Sequence, residues 1–503
     1  MALQNLLGDL NLEATQQEIL TAQELAVSEI QRHHYSPFGD QMVAQLKQII
    51  SLKATYGILD DTNTFSATGG SVTATGGEFI CQTGTSVGGY GVLWSRQPVV
   101  YIPGFGCEAR FTARFTTGVA SSIQAAGLFS AVDGMFFGYD GTSFGIMHRH
   151  HGAIEVRTLT VTAGSGGAAT VTVTLNGTAY TASITAGTAA QNAHEVEQGL
   201  NAGAAANLWY IQHIGDTVIF VSKDAGARSG TYSVTVSAGT FAGSIAQNKA
   251  GASPTETWTA RASWNVDTCS WIDPTKGNIY RVEFAYLGYG PLKYYVFNPT
   301  TYRWVLCHVV AWPNNNTGTN LGNPSMRVGW LSASLGSTTN LTVAGASAMA
   351  GLQGNANKRE SFGAYGTATG VTTETQILSL QVRREFGDRA CVAVVVPEIL
   401  TIATDSTKGA VFRLLLNPSV SGTTAHAYID ESNSVCTYDT AGTTISGGRL
   451  LGVYSVGPSG RATISLDSVS NALVSGDELV IAAQVTSGAG SEMTASIVWS
   501  EIK

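Results

Sequence analysis

The 503-residue sequence carries little charge for its length. Only 12% of its residues are Asp, Glu, Lys or Arg, and 35 acidic against 27 basic residues give a net charge of −8. Nucleic acid is bound mainly through clustered lysine and arginine, so this composition argues against a nucleic-acid-binding protein. No run approaches the ~18 apolar residues of a membrane span, and residues 1–10 lack the basic start of a secretory signal. We therefore expect a soluble protein, made in a host cytoplasm, with no nucleic-acid partner and no membrane span.

The sequence also lacks the common signatures of metal, disulfide and catalytic sites. Its six cysteines are scattered without a C-x-x-C pair, which predicts buried, reduced thiols rather than a zinc site or a disulfide framework. There is no G-x-S-x-G elbow and no H-E-x-x-H helix, and the glycine-rich stretches lack the lysine of a phosphate-binding loop. We expect no cofactor and no enzymatic activity.

Glycine is abundant, with 58 residues, and threonine, serine and alanine fill much of the rest. Between Tyr280 and Trp330, apolar and aromatic residues recur with period two, and Gly or Pro stands at the breaks. This pattern is typical of half-buried antiparallel strands joined by tight turns. The chain length suggests about three or four domains. The sequence therefore predicts a mainly β protein with several domains.

Four segments carry a resemblance to a known family: Phe136–Ile146, the turn Tyr286–Gly290, His308 and the polar loop Pro313–Pro324. Together they resemble the concanavalin-like β-sandwich found in structural proteins of tailed phages and some large DNA viruses. The resemblance covers roughly residues 55–385. It implies a virion protein of the fibre, spike or decoration type, located in the virion and in contact with other virion proteins.

The domain organisation follows from changes in pattern along the chain. We predict an N-terminal helical anchor or oligomerisation segment over residues 1–56. The concanavalin-like sandwich would cover 57–157 and 253–386, split by an inserted small α+β domain over 158–252. A C-terminal β-sandwich or jelly roll would cover 387–503, where seven short strands recur at regular spacing.

Residues 11–56 hold the one long helical pattern. Apolar residues recur at helical spacing in Leu12–Ile30 and Met42–Leu52, with a break at Ser36–Gly39. The resulting apolar stripe either covers the protein's own sandwich or joins it to a partner in the particle. We predict the second role, in a homotrimer.

Met147–Gly152 contains three histidines. On a strand, His148 and His150 would point to the same face because side chains alternate. Three-fold assembly would then gather six imidazoles, enough for an octahedral transition-metal site. The alternative is a polar strand whose histidines are satisfied by hydrogen bonds or solvent.

A polar loop with nearby tryptophans is the candidate glycan-binding site. Its residues are Trp304, Trp312, Asn314, Asn315 and Asn316. Amide groups can hydrogen-bond sugar hydroxyls while an indole ring stacks on the sugar face. The alternative is an ordinary solvent loop with Asx turns.

A glycosidase would need two carboxylates about 5–10 Å apart across a cleft. The candidates are Glu283, in a strand, and Asp267 and Asp273, in the preceding loop beside Trp264 and Trp271. Tryptophans flanked by strands usually belong to the core, so the residues do not define a convincing active site.

These observations favour a non-enzymatic virion structural protein that projects β domains from the particle and contacts the host surface. A second, compatible hypothesis is carbohydrate-binding receptor recognition on a host glycan. The third is a polysaccharide-degrading enzyme, which the fold alone does not imply.

Overall fold

The computed structural model describes residues 46–354, 359–422, 425–466, 472–488 and 490–503. These residues form a mainly β protein built from antiparallel sheets, which confirms the predicted fold class. The helices predicted over residues 11–45 lie outside the described residues. Within the described part, no helix has the length and apolar character to cross a membrane.

The first β-sandwich packs two antiparallel sheets face to face; among the described residues they have nine and seven strands. The nine-stranded sheet comprises β1 Leu46–Lys53, β3 Ser71–Thr75, β4 Glu78–Gln82, β6 Gly106–Phe115, β18 Asn278–Phe284, β19 Leu292–Asn298, β20 Arg303–Val310, β22 Thr342–Gly345 and β23 Ser347–Gln353. The seven-stranded sheet comprises β2 Thr62–Ala67, β5 Tyr90–Ser95, β7 Ser122–Phe129, β8 Gly134–Asp140, β9 Ser143–His150, β17 Thr255–Ala260 and β21 Arg327–Ser334. Inward-facing residues of both sheets, among them Phe111, Phe137, Tyr280 and Trp330, fill one buried core.

Strand β1 corrects the prediction of a helix that continues to Leu52. It pairs antiparallel with β23, where Leu52 lies opposite Ala348. Ile50 and Leu52 are buried on the same side of the strand. The apolar residues of this segment fit either period over so short a run, and pairing with a strand far along the chain decides between them. The predicted segment 1–56 therefore ends inside the first sandwich.

The inserted domain leaves the sandwich after β9 and returns to it before β17, where Ala153 and Ala252 form an isolated bridge. It contains α1 Ala189–Asn201 and two sheets with a core of their own. One sheet comprises β10 Ile154–Ala163, β13 Trp209–Ile214, β14 Thr217–Ala225 and β16 Ala242–Lys249, and the other β11 Ala169–Leu175, β12 Thr178–Ile184 and β15 Ser233–Val236. Asn176 and Gly177, both at positive φ, turn β11 into β12. Short 3₁₀ helices span Ala54–Tyr56, Ala204–Asn207 and Arg261–Ser263.

The C-terminal unit is a second sandwich with a separate buried core. In the described residues one sheet comprises β24 Glu360–Val371, β28 Val394–Thr404, β35 Arg461–Ser465, β36 Leu473–Val474 and β38 Ser491–Ile502. The facing sheet comprises β25 Thr375–Val382, β29 Ala410–Leu416, β31 Ala427–Tyr428, β32 Cys436–Asp439, β34 Arg449–Val456 and β37 Glu478–Val485. Two small ribbons pair β26 Glu385–Phe386 with β27 Arg389–Ala390, and β30 Ser419–Gly422 with β33 Gly442–Ser446.

The predicted boundary at residue 386 is corrected by these pairings. Strand β24 pairs with β38, and β25 pairs with β37, so both belong to the C-terminal sandwich. The first sandwich ends with β23, before Glu360. Alternation identifies strands, but it does not say which sheet a strand joins. All six cysteines are buried, as predicted.

Candidate functional site

The histidines of β9 lie where the core of the first sandwich opens toward solvent. Phe144 and Ile146 occupy the core-facing side of β9, and His148 and His150 continue that side toward the strand end. The two imidazole rings stack with centroids 4.5 Å apart. The prediction that they share a face is confirmed.

Trp312, which follows β20, packs against both rings. Its ring centroid lies 5.5 Å from that of His148 and 5.5 Å from that of His150, in each case edge to face. Its indole Nε1 donates a hydrogen bond to the Gly318 carbonyl at 2.7 Å, so the loop curls back over its own tryptophan. We call His148, His150, His151 and Trp312 the histidine–tryptophan corner.

The side chain of Asp133 fixes the loop beside the corner. This fully buried carboxylate accepts hydrogen bonds from the backbone N–H groups of Gly322 at 2.7 Å, Asn323 at 2.7 Å and His151 at 3.1 Å. Burial raises the pKa of Asp133, while the three backbone donors act in the opposite direction. Sequence reasoning missed Asp133 because it stands alone in a turn between β7 and β8.

His148 is 3% exposed, and its Nε2 lies 2.8 Å from the Asn320 carbonyl oxygen. Because a carbonyl only accepts, Nε2 carries the proton. Burial, followed by the neighbouring His150, lowers the pKa of His148 to about 4. The ring is therefore neutral at pH 7. A metal site across three chains stays a prediction, and it would require this buried ring to give up its present packing.

Hydrogen bonding also assigns the tautomers of the other two histidines in their neutral forms. The Thr319 hydroxyl donates to the Leu321 carbonyl, so it accepts from His151 Nε2 at 3.0 Å. His151 Nδ1 then accepts from His150 Nδ1 at 2.9 Å. His150 keeps its lone pair on Nε2, an acceptor in a half-buried position.

The rim of the corner is exposed and polar. Asn314, Asn315 and Asn316 are all exposed. The side-chain amide of Asn315 donates a hydrogen bond to the Ala311 carbonyl at 3.1 Å. Tyr289 is 43% exposed, and its hydroxyl donates to the Thr317 carbonyl at 3.1 Å. Sequence reasoning noted the turn that contains Tyr289 but not its place beside the loop.

Trp304 does not join this site, which corrects its inclusion among the candidates. It lies near the other end of β20, on the outer face of the nine-stranded sheet, and packs against Phe297 with ring centroids 5.6 Å apart. The guanidinium groups of Arg110 and Arg281 lie about 6 Å from its ring.

The three carboxylates considered for a glycosidase site do not lie together. Asp267 and Asp273 hydrogen-bond within their own loop, to Cys269 and Thr275. Glu283 instead lies opposite Glu108 of β6, and Arg281 forms ion pairs with both. Trp264 is buried in the core, whereas Trp271 is 39% exposed. Glu283 is therefore separate from the two loop carboxylates, and its neighbour Glu108 was not among the candidates.

No family model matches the chain, and no curated protein matches it. Among solved structures, it is similar to the metal-free carbohydrate recognition domain of Emp46p, with 10% identity, a TM-score of 0.22, and coverage of 59% of this chain and 89% of that one. The exoplasmic/lumenal domain of VIP36 with Ca²⁺ and Man3GlcNAc is 11% identical, with a TM-score of 0.26 and coverage of 62% of this chain and 92% of that one. The structure of the infectious bursal disease virus Gt strain is 10% identical, with a TM-score of 0.17 and coverage of 81% of this chain and 75% of that one.

Proposed function

We propose that the protein is a carbohydrate-binding, non-enzymatic structural component of a virion, and that the first sandwich binds a host glycan at the histidine–tryptophan corner. The observation that carries the proposal is that the side chain of Asp133 fixes the loop beside the corner. Asp133 holds Gly322, Asn323 and His151 in place before any ligand arrives. A loop ordered in advance loses less conformational entropy on binding.

The chemistry of the rim suits a sugar. The Tyr289 ring offers an exposed aromatic surface in the turn between β18 and β19, and its hydroxyl contacts Thr317 in the loop that carries the half-buried Trp312. Sugars present an apolar face of C–H groups together with several hydroxyls, so they bind where rings and hydrogen-bonding groups meet. The exposed amides of Asn314–Asn316 supply donors and acceptors, and His150 Nε2 supplies a further acceptor.

A purely binding role is also supported by the state of the paired carboxylates. A glycosidase needs one protonated acid and one free carboxylate on either side of the scissile bond. Glu108 and Glu283 both pair with Arg281, Glu108 also pairs with Arg110, and the two glutamate side chains are 4% and 2% exposed. Carboxylates that are buried and ion-paired in this way are not positioned to flank the scissile bond of a polysaccharide.

The glycan proposal is tested on a glycan array with the full-length protein and the Trp312→Ala and Tyr289→Ala variants. We expect the wild type to bind a restricted set of glycans and both variants to lose at least tenfold in affinity. Trp271→Ala is the matched control, because Trp271 is an exposed tryptophan outside the corner. A wild type that binds no glycan, or variants that bind as well as the control, would overturn the proposal.

The virion setting is supported by the family resemblance of the sequence. Its test is the native mass of the full chain beside that of a chain without residues 1–45. Truncation at residue 56 would remove β1 from the first sandwich and confuse the result. A trimer that dissociates on truncation is expected, whereas a monomer in both cases contradicts the projecting trimer.

A further inference from the structure

A second group of histidines lies in the inserted domain, away from the corner. His194 and Glu197 are one turn apart on α1, and His213 lies on β13 beside them. One ligand atom from each of the three residues falls within 4.8 Å of the others. Ligand atoms around a tetrahedral zinc ion are separated by roughly 3–4 Å, so a small adjustment brings the three to coordination distance.

The local sequence explains how these side chains meet. Thr188 and Gln191 form a capping box that fixes the start of α1. The i, i+3 spacing then places His194 and Glu197 on the same face of the helix. Glu197 Oε2 lies 2.5 Å from His213 Nδ1 and 3.8 Å from His194 Nδ1, so one carboxylate oxygen faces both imidazoles.

A fourth candidate ligand comes from the C-terminal sandwich. The His426 ring lies next to that of His213, with centroids 5.4 Å apart, and it is 3% exposed. Its Nδ1 is buried without a hydrogen-bond partner among the described residues. An unpartnered polar atom in the interior costs about 1–3 kcal/mol, so the protein either bears this cost or satisfies the atom with a ligand.

We propose that His194, Glu197 and His213 bind a transition-metal ion of the zinc class, with His426 as the fourth ligand. Three imidazoles and one carboxylate are a donor set that zinc accepts. The ion would cross-link the inserted domain to the C-terminal sandwich, because its ligands come from both.

The surroundings fit such a cross-link. Gln212, next to His213, donates to Gln381 of the C-terminal sandwich at 2.7 Å and accepts from the Arg384 backbone at 2.7 Å. The Gly215 N–H donates to the His426 carbonyl at 2.8 Å, which holds His426 beside β13. A cavity of about 380 Å³ is lined by residues of both units, among them Glu197, Gln381 and Arg384.

The test measures the metal content of the untagged full-length protein by mass spectrometry and its zinc affinity after treatment with chelator. We expect one ion per chain in the wild type and at least tenfold weaker binding in Glu197→Gln and His213→Gln. Glu195→Gln is the matched control, because Glu195 lies on the same helix but hydrogen-bonds the Thr185 backbone instead. His426→Ala is expected to bind more weakly than the control and to increase proteolysis between the two units.

Two further measurements keep the outcome decisive. If His213→Gln does not fold, the visible absorption of Co²⁺ bound to the chelated wild type reports the coordination geometry directly. A His148→Gln, His150→Gln double variant tests the corner as the alternative location. No ion bound by the wild type, full binding by Glu197→Gln, or loss of the ion only in the corner variant would each overturn the proposal.

Discussion

Glu108 and Glu283 lie directly opposite each other on adjacent antiparallel strands, and the guanidinium of Arg281 contacts both carboxylates. Like charges opposite each other in a sheet repel, so the shared cation is what makes this pair tolerable. The Tyr295 hydroxyl donates to Glu283 Oε1 at 2.7 Å, and Gln353 Nε2 donates to Glu108 Oε2 at 3.1 Å. Arg110 also pairs with Glu108, and Lys293 Nζ lies 4.0 Å from Glu283 Oε1, but of these three cations only Arg281 contacts both carboxylates.

Replacing that arginine should be costly. Arg281→Met removes the cation that both carboxylates share and leaves Glu283 with only Lys293 at 4.0 Å, and we expect the first sandwich to lose about 3–5 kcal/mol of unfolding free energy. Arg110→Met is the control, because Arg110 pairs with Glu108 from a side chain that is 43% exposed, so its loss should cost less than ~1 kcal/mol. Urea unfolding followed by tryptophan fluorescence measures both. Equal losses in the two variants would contradict this account.

Removing the carboxylate that pins the loop should weaken glycan binding. Asp133→Ala removes the acceptor of the Gly322, Asn323 and His151 N–H groups, and a hydrogen bond to a charged group contributes about 1.5–3 kcal/mol to stability. We expect faster proteolysis within residues 313–324 and weaker glycan binding, with Asp133→Asn intermediate. Protease digestion followed by mass spectrometry identifies the cut. Unchanged cleavage in Asp133→Ala would show that the loop is held by other contacts.

His148 should make the first sandwich less stable in mild acid. Its pKa falls from 6.5 in the unfolded chain to about 4 in the folded one, so between these values the unfolded state binds more protons. The contribution of neutral His148 to the free energy of unfolding is fully present above pH 6.5. It declines as the pH falls toward 4, by up to about 3 kcal/mol. Urea midpoints at pH 5 and pH 7.5 measure the loss. His148→Gln keeps a donor for the Asn320 carbonyl but does not titrate, so a pH dependence equal to that of the wild type would refute the assignment.

A single methyl group at Gly345 should disturb the packing of the core. A Cβ there would lie 2.2 Å from Trp330 Nε1 and 2.4 Å from the Thr112 carbonyl oxygen. The buried indole has no room to retreat, so we expect Gly345→Ala to cost about 1–3 kcal/mol. In Gly277→Ala the added Cβ meets nothing within 4 Å, and stability should change little. Thermal unfolding of the pair measures the difference, and equal melting temperatures would mean that the sheets adjust freely.

Local patterns predicted much of the fold. Alternation located the strands, Asn176-Gly177 located a hairpin, and a separate helical pattern located α1. Each of these signals arises within a few neighbouring residues. The failures are all long-range. Leu46–Lys53 became a strand because β23 pairs with it, and β24 joined the C-terminal sheet because β38 does.

In the candidate site, too, local features could be predicted from the sequence and contacts between distant segments could not. Alternation along β9 was enough to place His148 and His150 on one face. Nothing in the sequence near Trp312 pointed to Asp133, and nothing near Glu283 pointed to Glu108, because these partners come from distant segments brought together by the sheets. For the second histidine group, the sequence offers only His194 and Glu197 three residues apart on α1, which sequence reasoning did not single out; His213 and His426 join them only in the fold.

The position of the inserted domain has a consequence for synthesis on the ribosome. Strand β9 at the end of the first half must pair with β17, and the whole inserted domain is translated between them. The inserted domain has a core of its own, so it can fold before β17 has been synthesised to pair with β9. Until β17 to β23 emerge, strands of the first half expose unpaired edges to other nascent chains. The inserted domain therefore lengthens the time for which the edge of β9 stays open to other nascent chains.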